Sequence, residues 1–197
     1  MVRGQADYGA YAPKEVTASI SDMGEVAARL GSIATYDKRG DVVDFDNFES
    51  PALHWFTTLG GAGSYIRLDS TNIKSGSQAI TLHAPNVAPR RVNLGRMIAS
   101  LASQRLGQEI SCAYLSDDVV FSFGMSYVLT PDWYECYGRI DWETGILSVQ
   151  TTGGVWETVA TLGALLRQEH LFYPMKIVAD FSIGMYVRLL FGSKEYD

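Results

Sequence analysis

Polar and apolar residues alternate along most of this chain. The segments Ser64-Tyr65-Ile66-Arg67-Leu68-Asp69, Gln78-Ala79-Ile80-Thr81-Leu82-His83 and Tyr186-Val187-Arg188-Leu189-Leu190-Phe191 show the period of two. Successive strand side chains point to opposite faces, so such segments put one side in a core and the other in water. Turn residues punctuate them: Gly60-Gly61-Ala62-Gly63, Ser75-Gly76, Pro131-Asp132, Gly153-Gly154 and Ser182-Ile183-Gly184. The pattern predicts strands near 53–58, 64–69, 77–83, 91–98, 108–115, 119–129, 133–141, 145–151, 154–160, 171–180 and 185–192. Many short strands with close turns predict an all-β antiparallel sandwich over residues 42–197. Residues 92–106 also fit a helical face through Leu94, Met97, Ile98, Leu101 and Leu106; strand, turn, strand suits their β neighbours better.

Residues 1–41 read differently. The first 18 or so are rich in Gly, Ala, Tyr and Pro and lack any period, which predicts an extended arm. Tyr8, Tyr11 and Pro13 are its adhesive points, and such an arm orders best against a neighbouring subunit. A short helix follows at about 22–30: Ser21 or Asp22 caps it, Met23, Val26, Ala27 and Leu30 recur at helical spacing, and Gly31 ends it. Ile33-Ala34-Thr35-Tyr36 and Val42-Val43-Asp44-Phe45 then predict a hairpin around Asp37-Lys38-Arg39-Gly40. At the other end, 191–197 resembles the start of one more strand, short or completed by a partner.

Composition narrows the class. An apolar fraction of 47% in 197 residues is enough for a core. A net charge of −6, without a basic face, argues against a nucleic-acid partner. No apolar run is long enough to span a bilayer, and the N-terminus has no apolar signal-peptide segment. Cys112 and Cys136 are expected as reduced, buried thiols. His54, His83 and His170 form no local metal motif.

Asp46-Asn47-Phe48-Glu49, Trp55 and Ser75-Gly76-Ser77-Gln78-Ala79-Ile80-Thr81-Leu82 resemble the opening of jelly-roll carbohydrate-binding modules and concanavalin A-like sandwiches. Those share a D-x-F-E element, a nearby Trp and an S-G-x-x-S strand, where Ala79 here departs from the small polar residue. Arg139-Ile140-Asp141-Trp142, Trp156 and Ile177-Val178-Ala179-Asp180-Phe181 extend the likeness. It implies a jelly-roll sandwich with a structural calcium ion held by Glu49, by carbonyls near Ser75 and by Asp180 or Asp197. The run from Ala28 to Val42, joined directly to the D-x-F-E sandwich, is similar to bacteriophage virion proteins. That likeness implies a structural, non-enzymatic protein of head or tail, such as a capsid decoration or minor capsid protein. It would assemble in the host cytoplasm with other virion proteins and with copies of itself, without nucleic acid or membrane.

Two constellations point elsewhere. Trp133, Tyr137 and Trp142 are candidates for stacking on sugar rings, within a wider set that includes Trp55, Tyr134 and Trp156. Strand parity turns Tyr134 away from Trp133 and Tyr137. These aromatics make a glycan-binding module for adhesion the alternative function. Asp141 and Glu143 are two carboxylates two residues apart, the minimum for a glycan hydrolase or lyase, the third reading. Asp141-Trp142-Glu143-Thr144-Gly145 reads better as a hairpin turn closed by glycine.

Overall fold

The computed structural model describes residues 42–74, 76–86, 91–98, 103–116, 118–129, 131–163 and 168–196. The arm, the helix at about 22–30 and the strand at 33–36 lie outside these residues. In chain order the strands are β1 (Phe56–Gly60), β2 (Tyr65–Asp69), β3 (Ala79–His83), β4 (Arg91–Gly95), β5 (Arg105–Cys112), β6 (Val120–Leu129), β7 (Asp132–Asp141), β8 (Ile146–Gln150), β9 (Trp156–Thr161), β10 (Tyr173–Asp180), β11 (Met185–Phe191) and β12 (Lys194–Tyr196). Every pairing is antiparallel.

Two four-stranded sheets, ordered β6-β7-β8-β9 and β12-β11-β10-β5, face each other across one core. The all-β antiparallel sandwich expected from the sequence is what the chain forms. Its strand order does not establish the jelly-roll connectivity: β6 to β9 form one meander and β10 to β12 another, so within the sandwich only β5–β6 and β9–β10 change sheet. β7 shows why the sequence folds this way. Cys136 and Ile140 point inward at 2% and 0% exposure, while Trp133, Glu135, Tyr137 and Arg139 alternate outward. Ile140, Leu147, Met175 and Ile177 are all at 0%. Each such side chain contributes about 1.5–3 kcal/mol by leaving water.

One end of the core is aromatic. Trp142 stacks on Tyr114 at 4.4 Å and meets Tyr173 at 5.1 Å, and Tyr173 stacks on Phe191 at 5.5 Å. The turn carrying Trp142 closes as the sequence suggested: Gly145 sits at φ +71°, and its N–H donates to the Asp141 carbonyl at 2.8 Å. The Asp141 carboxylate accepts the N–H groups of Glu143 and Thr144 at 3.0 and 3.1 Å, so it serves the turn. Tyr186 joins the sheets. Its hydroxyl donates to the Gln150 carbonyl and accepts the Tyr137 N–H at 3.3 Å, where the β7–β8 ladder stops. Burial pushes that phenol up to about 12.

The outer face of β10 is covered as well. Lys176 is 8% exposed and pairs with Glu109 of β5 at 3.5 Å. Lys74, from the β2–β3 connection, is held down by burial and pulled back up by the same Glu109. Cys112 and Cys136 are free thiols; Cys136 is buried, as expected, and Cys112 is only half-buried.

Before the sandwich come two two-stranded ribbons, β1–β4 and β2–β3. The Phe56 ring lies over Gly95, its cross-strand partner, where a Cβ would sit 2.2 Å from the ring. Residues 42–45 are not a strand, which corrects the expected hairpin. Among the described residues no strand pairs with them, and Asp44 is instead held by Arg96 at 3.3 Å. The ambiguous stretch begins as β4 and ends as β5, with 99–102 outside the described residues.

Candidate functional site

The D-x-F-E element folds into a polar buckle. Asp46 accepts the Phe48 N–H at 2.8 Å and the Trp55 indole N–H at 2.6 Å. Arg96 reaches the same carboxylate at 3.5 Å and lies 5.7 Å over the Trp55 ring. Glu49 crosses to the next segment, where one oxygen accepts the N–H groups of Ser77 and Gln78 at 2.9 and 3.3 Å and the other accepts the Ser77 hydroxyl. The Ser77 bonds hold the Glu49 carboxyl below its ordinary range. Gln78 answers by donating to the carbonyls of Phe48 and Ser50 at 2.7 and 3.0 Å. Gly76, at φ +76°, leaves room for this: a Cβ there would lie 2.1 Å from a Glu49 oxygen. The resemblance motif therefore clamps two chain segments together.

The calcium ligands that the resemblance implied, Glu49 and Asp180, each sit among donors of their own. The Glu49 oxygens face the N–H groups of Ser77 and Gln78 and the Ser77 hydroxyl. Asp180 accepts Arg105 at 3.0 Å and both the amide and hydroxyl of Ser182, and those Ser182 and Arg105 contacts lower its pKa. Ser75 and Asp197 lie outside the described residues. Among the described residues no three His, Cys, Asp or Glu side chains converge as a metal would require.

The three stacking candidates separate. Trp133 is 64% exposed, with its indole N–H on Glu135 at 3.1 Å. Tyr137 shares its outward face and bonds Ser126 at 3.0 Å, while Tyr134 packs against the core, as parity required. Trp142 is 1% exposed inside the aromatic core, so it is a packing residue and not part of a ligand platform. Its place on the outer face is taken by Trp156, which carries the Arg139 guanidinium 4.3 Å over its ring.

A cleft missed from the sequence lies where the β2–β3 ribbon meets the sandwich. It encloses about 200 Å³. Strand parity puts Tyr65, Arg67 and Asp69 on one face of β2. Tyr65 stacks on His83 at 4.6 Å, and Arg67 lies 5.0 Å over the Tyr65 ring. The Arg67 fork donates to Asp69 at 2.9 and 3.2 Å. Asp69 also accepts the Thr71 N–H at 2.8 Å and the Thr81 hydroxyl at 3.4 Å. Contacts with Thr71, then with Arg67, lower the Asp69 carboxyl to about 2, so it is ionised at any ordinary pH. Asn72 lines the cleft from the loop after β2, and Leu115 and His170 close it from the sandwich side. His170 is held at φ +61°, with its N–H on the Tyr114 carbonyl at 3.0 Å. The alternation Tyr65-x-Arg67-x-Asp69 was legible; nothing local tied Leu115 and His170 to it.

The chain matches no protein-family model, no curated protein and no solved structure.

Proposed function

We propose that this chain is a structural, non-enzymatic protein of a bacteriophage particle, a capsid decoration, minor capsid or tail-associated component. The virion part of this reading rests on the likeness of residues 28–42 and the adjoining D-x-F-E sandwich to virion proteins. The observation that carries the assembly role is the β1–β4 ribbon with its flanks. Val43 is 62% exposed, Phe56 58%, Leu59 51% and Met97 83%. Phe56 and Leu59 are three apart in one strand, so both faces of the ribbon are apolar. A two-stranded ribbon has little stability of its own, and apolar groups clustered on a surface mark a place where another protein binds. The test is light scattering of the full chain beside a Phe56→Ser, Leu59→Ser, Met97→Ser variant. The wild type should form a defined oligomer that the variant weakens without a fall in Tm. Equal assembly of the two proteins counts against the ribbon's role.

The cleft favours a second reading, binding of a neutral glycan. Arg67 and Asp69 present fixed donors and acceptors side by side, Asn72 and Thr81 add groups that do both, and Leu115 supplies an apolar wall. A balanced charge pair suits hydroxyls better than an anion, which Asp69 would repel. Neutral and acidic oligosaccharides titrated into the protein while amide shifts are followed separate the two. Saturable shifts at residues 65–72 with the neutral sugars alone support it, and an unchanged spectrum across the panel sinks it.

A further inference from the structure

The sandwich has four outer edges, and three are protected. β12 is three residues long and carries Lys194 and Glu195. β9 is interrupted by a bulge in its pairing with β8 and carries Glu157. β5 carries Arg105 and Glu109. Charge, shortness and bulges are the usual means by which edge strands avoid pairing with another chain. β6 has none of them: its ten residues, Val-Phe-Ser-Phe-Gly-Met-Ser-Tyr-Val-Leu, include no charge and no proline. All ten pair with β7 on one side, and among the described residues no strand pairs with the other.

The same strand is chemically palindromic about Gly124. Reading outward, Phe123 answers Met125, Ser122 answers Ser126, Phe121 answers Tyr127 and Val120 answers Val128, and Val119, just before the strand, answers Leu129. We propose that β6 pairs antiparallel with β6 of a second copy, about a two-fold axis through Gly124, so that two four-stranded sheets become one continuous sheet. Residues equidistant from Gly124 have equal parity, so the pairing keeps each face intact. Phe121, Phe123, Met125 and Tyr127, which pack on the core, meet their counterparts on the core side. Val120 and Val128, each 56% exposed, cover one another on the outside, with Ser122 beside Ser126. On the axis glycine meets glycine. No side chain fits there, because a Cβ on Gly124 would lie 2.0 Å from the Cys136 carbonyl oxygen. A neutral strand also meets its own copy without like charges in register, although the chain carries −6 overall. A two-fold interface must be self-complementary in this way. The pairing rests on the strand alone and does not depend on the virion reading.

The test is a Ser122→Cys, Ser126→Cys double variant of the full chain. Across the axis these positions face each other at a separation a disulfide spans, while within one strand they lie ~13 Å apart, too far to bridge. Oxidation should give a covalent dimer in which mass spectrometry finds position 122 of one copy bonded to position 126 of the other, and Ser122→Cys alone should not. In light scattering, Ser122→Lys with Ser126→Lys should weaken dimerisation about tenfold or more, because like charges then face each other. Ser122→Lys with Ser126→Glu should restore it. A chain that stays monomeric, or that cross-links in another register, overturns the pairing. An oligomer that forms without the cross-link also overturns it, while leaving assembly through the β1–β4 ribbon standing.

Discussion

The sandwich and the two ribbons before it are held by different forces. In the sandwich, two sheets of four strands face each other, and the inward residues of β7, β8 and β10 reach zero exposure. The ribbons have two strands each and cannot enclose a core. Phe56 and Leu59 stay more than half exposed, and order comes from carboxylates that gather backbone N–H groups: Asp46, Glu49 and Asp69. Where strands are too few to bury apolar surface, short-range polar clamps take over. Burial is indifferent to pH, whereas a carboxylate clamp is not.

The largest expected effect breaks the sandwich side of this contrast. Trp142→Ala removes the ring at the centre of the aromatic core and should cost about 3–5 kcal/mol, read from chemical denaturation. Tyr186→Phe deletes the hydroxyl between β7, β8 and β11. It should cost about 1–3 kcal/mol, because the Gln150 carbonyl and the Tyr137 N–H lose a half-buried partner. An unchanged midpoint would show that water replaces it.

On the ribbon side, Gly76→Ala should cost about 1–2 kcal/mol through its left-handed backbone and the collision with Glu49. Hydrogen exchange should quicken at Ser77 and Gln78 and stay slow in β7 and β10. Acid sharpens the contrast further. Glu49 and Asp69 have folded pKa values below their unfolded ones, so their stabilisation is complete above the unfolded pKa and lost as pH falls through the folded one. For Asp69 that window runs from 3.8 down to about 2. The ribbon amides should therefore lose protection in acid before the sandwich amides do; simultaneous loss would mean the clamps do not hold the ribbons.

The smallest effect concerns the thiols. Burial pushes the Cys136 thiol up to about 12 and raises that of Cys112 as well. Cys136, 2% exposed, should resist a thiol reagent at mildly alkaline pH until the sandwich unfolds. Rapid labelling of Cys136 in the native protein would mean that the core opens locally.

Much of the fold was legible along the chain. The extents of β6, β7 and β8 follow from alternation and from the turns at Pro131-Asp132 and Gly145, because side-chain direction in a strand is a local property. The same parity that separated Tyr134 from Trp133 also sends Trp142 inward, so its burial was readable although it was grouped with the surface rings. Residues 42–45 show the limit. Val42-Val43-Asp44-Phe45 has strand character, yet among the described residues no strand pairs with it, and Asp44 is held in an ion pair by Arg96. What a carboxylate such as Glu49 does depends on what faces it, here the donors of Ser77 and Gln78, which the local sequence does not show. Tertiary structure alone decided that Leu115 and His170 meet Arg67 and Asp69, and that β6 takes an outer edge. The palindrome about Gly124 was written in the sequence throughout. It gains a use only when the sheet order leaves one side of that strand without a partner among the described residues, because pairing joins residues far apart in the chain and no local pattern encodes it.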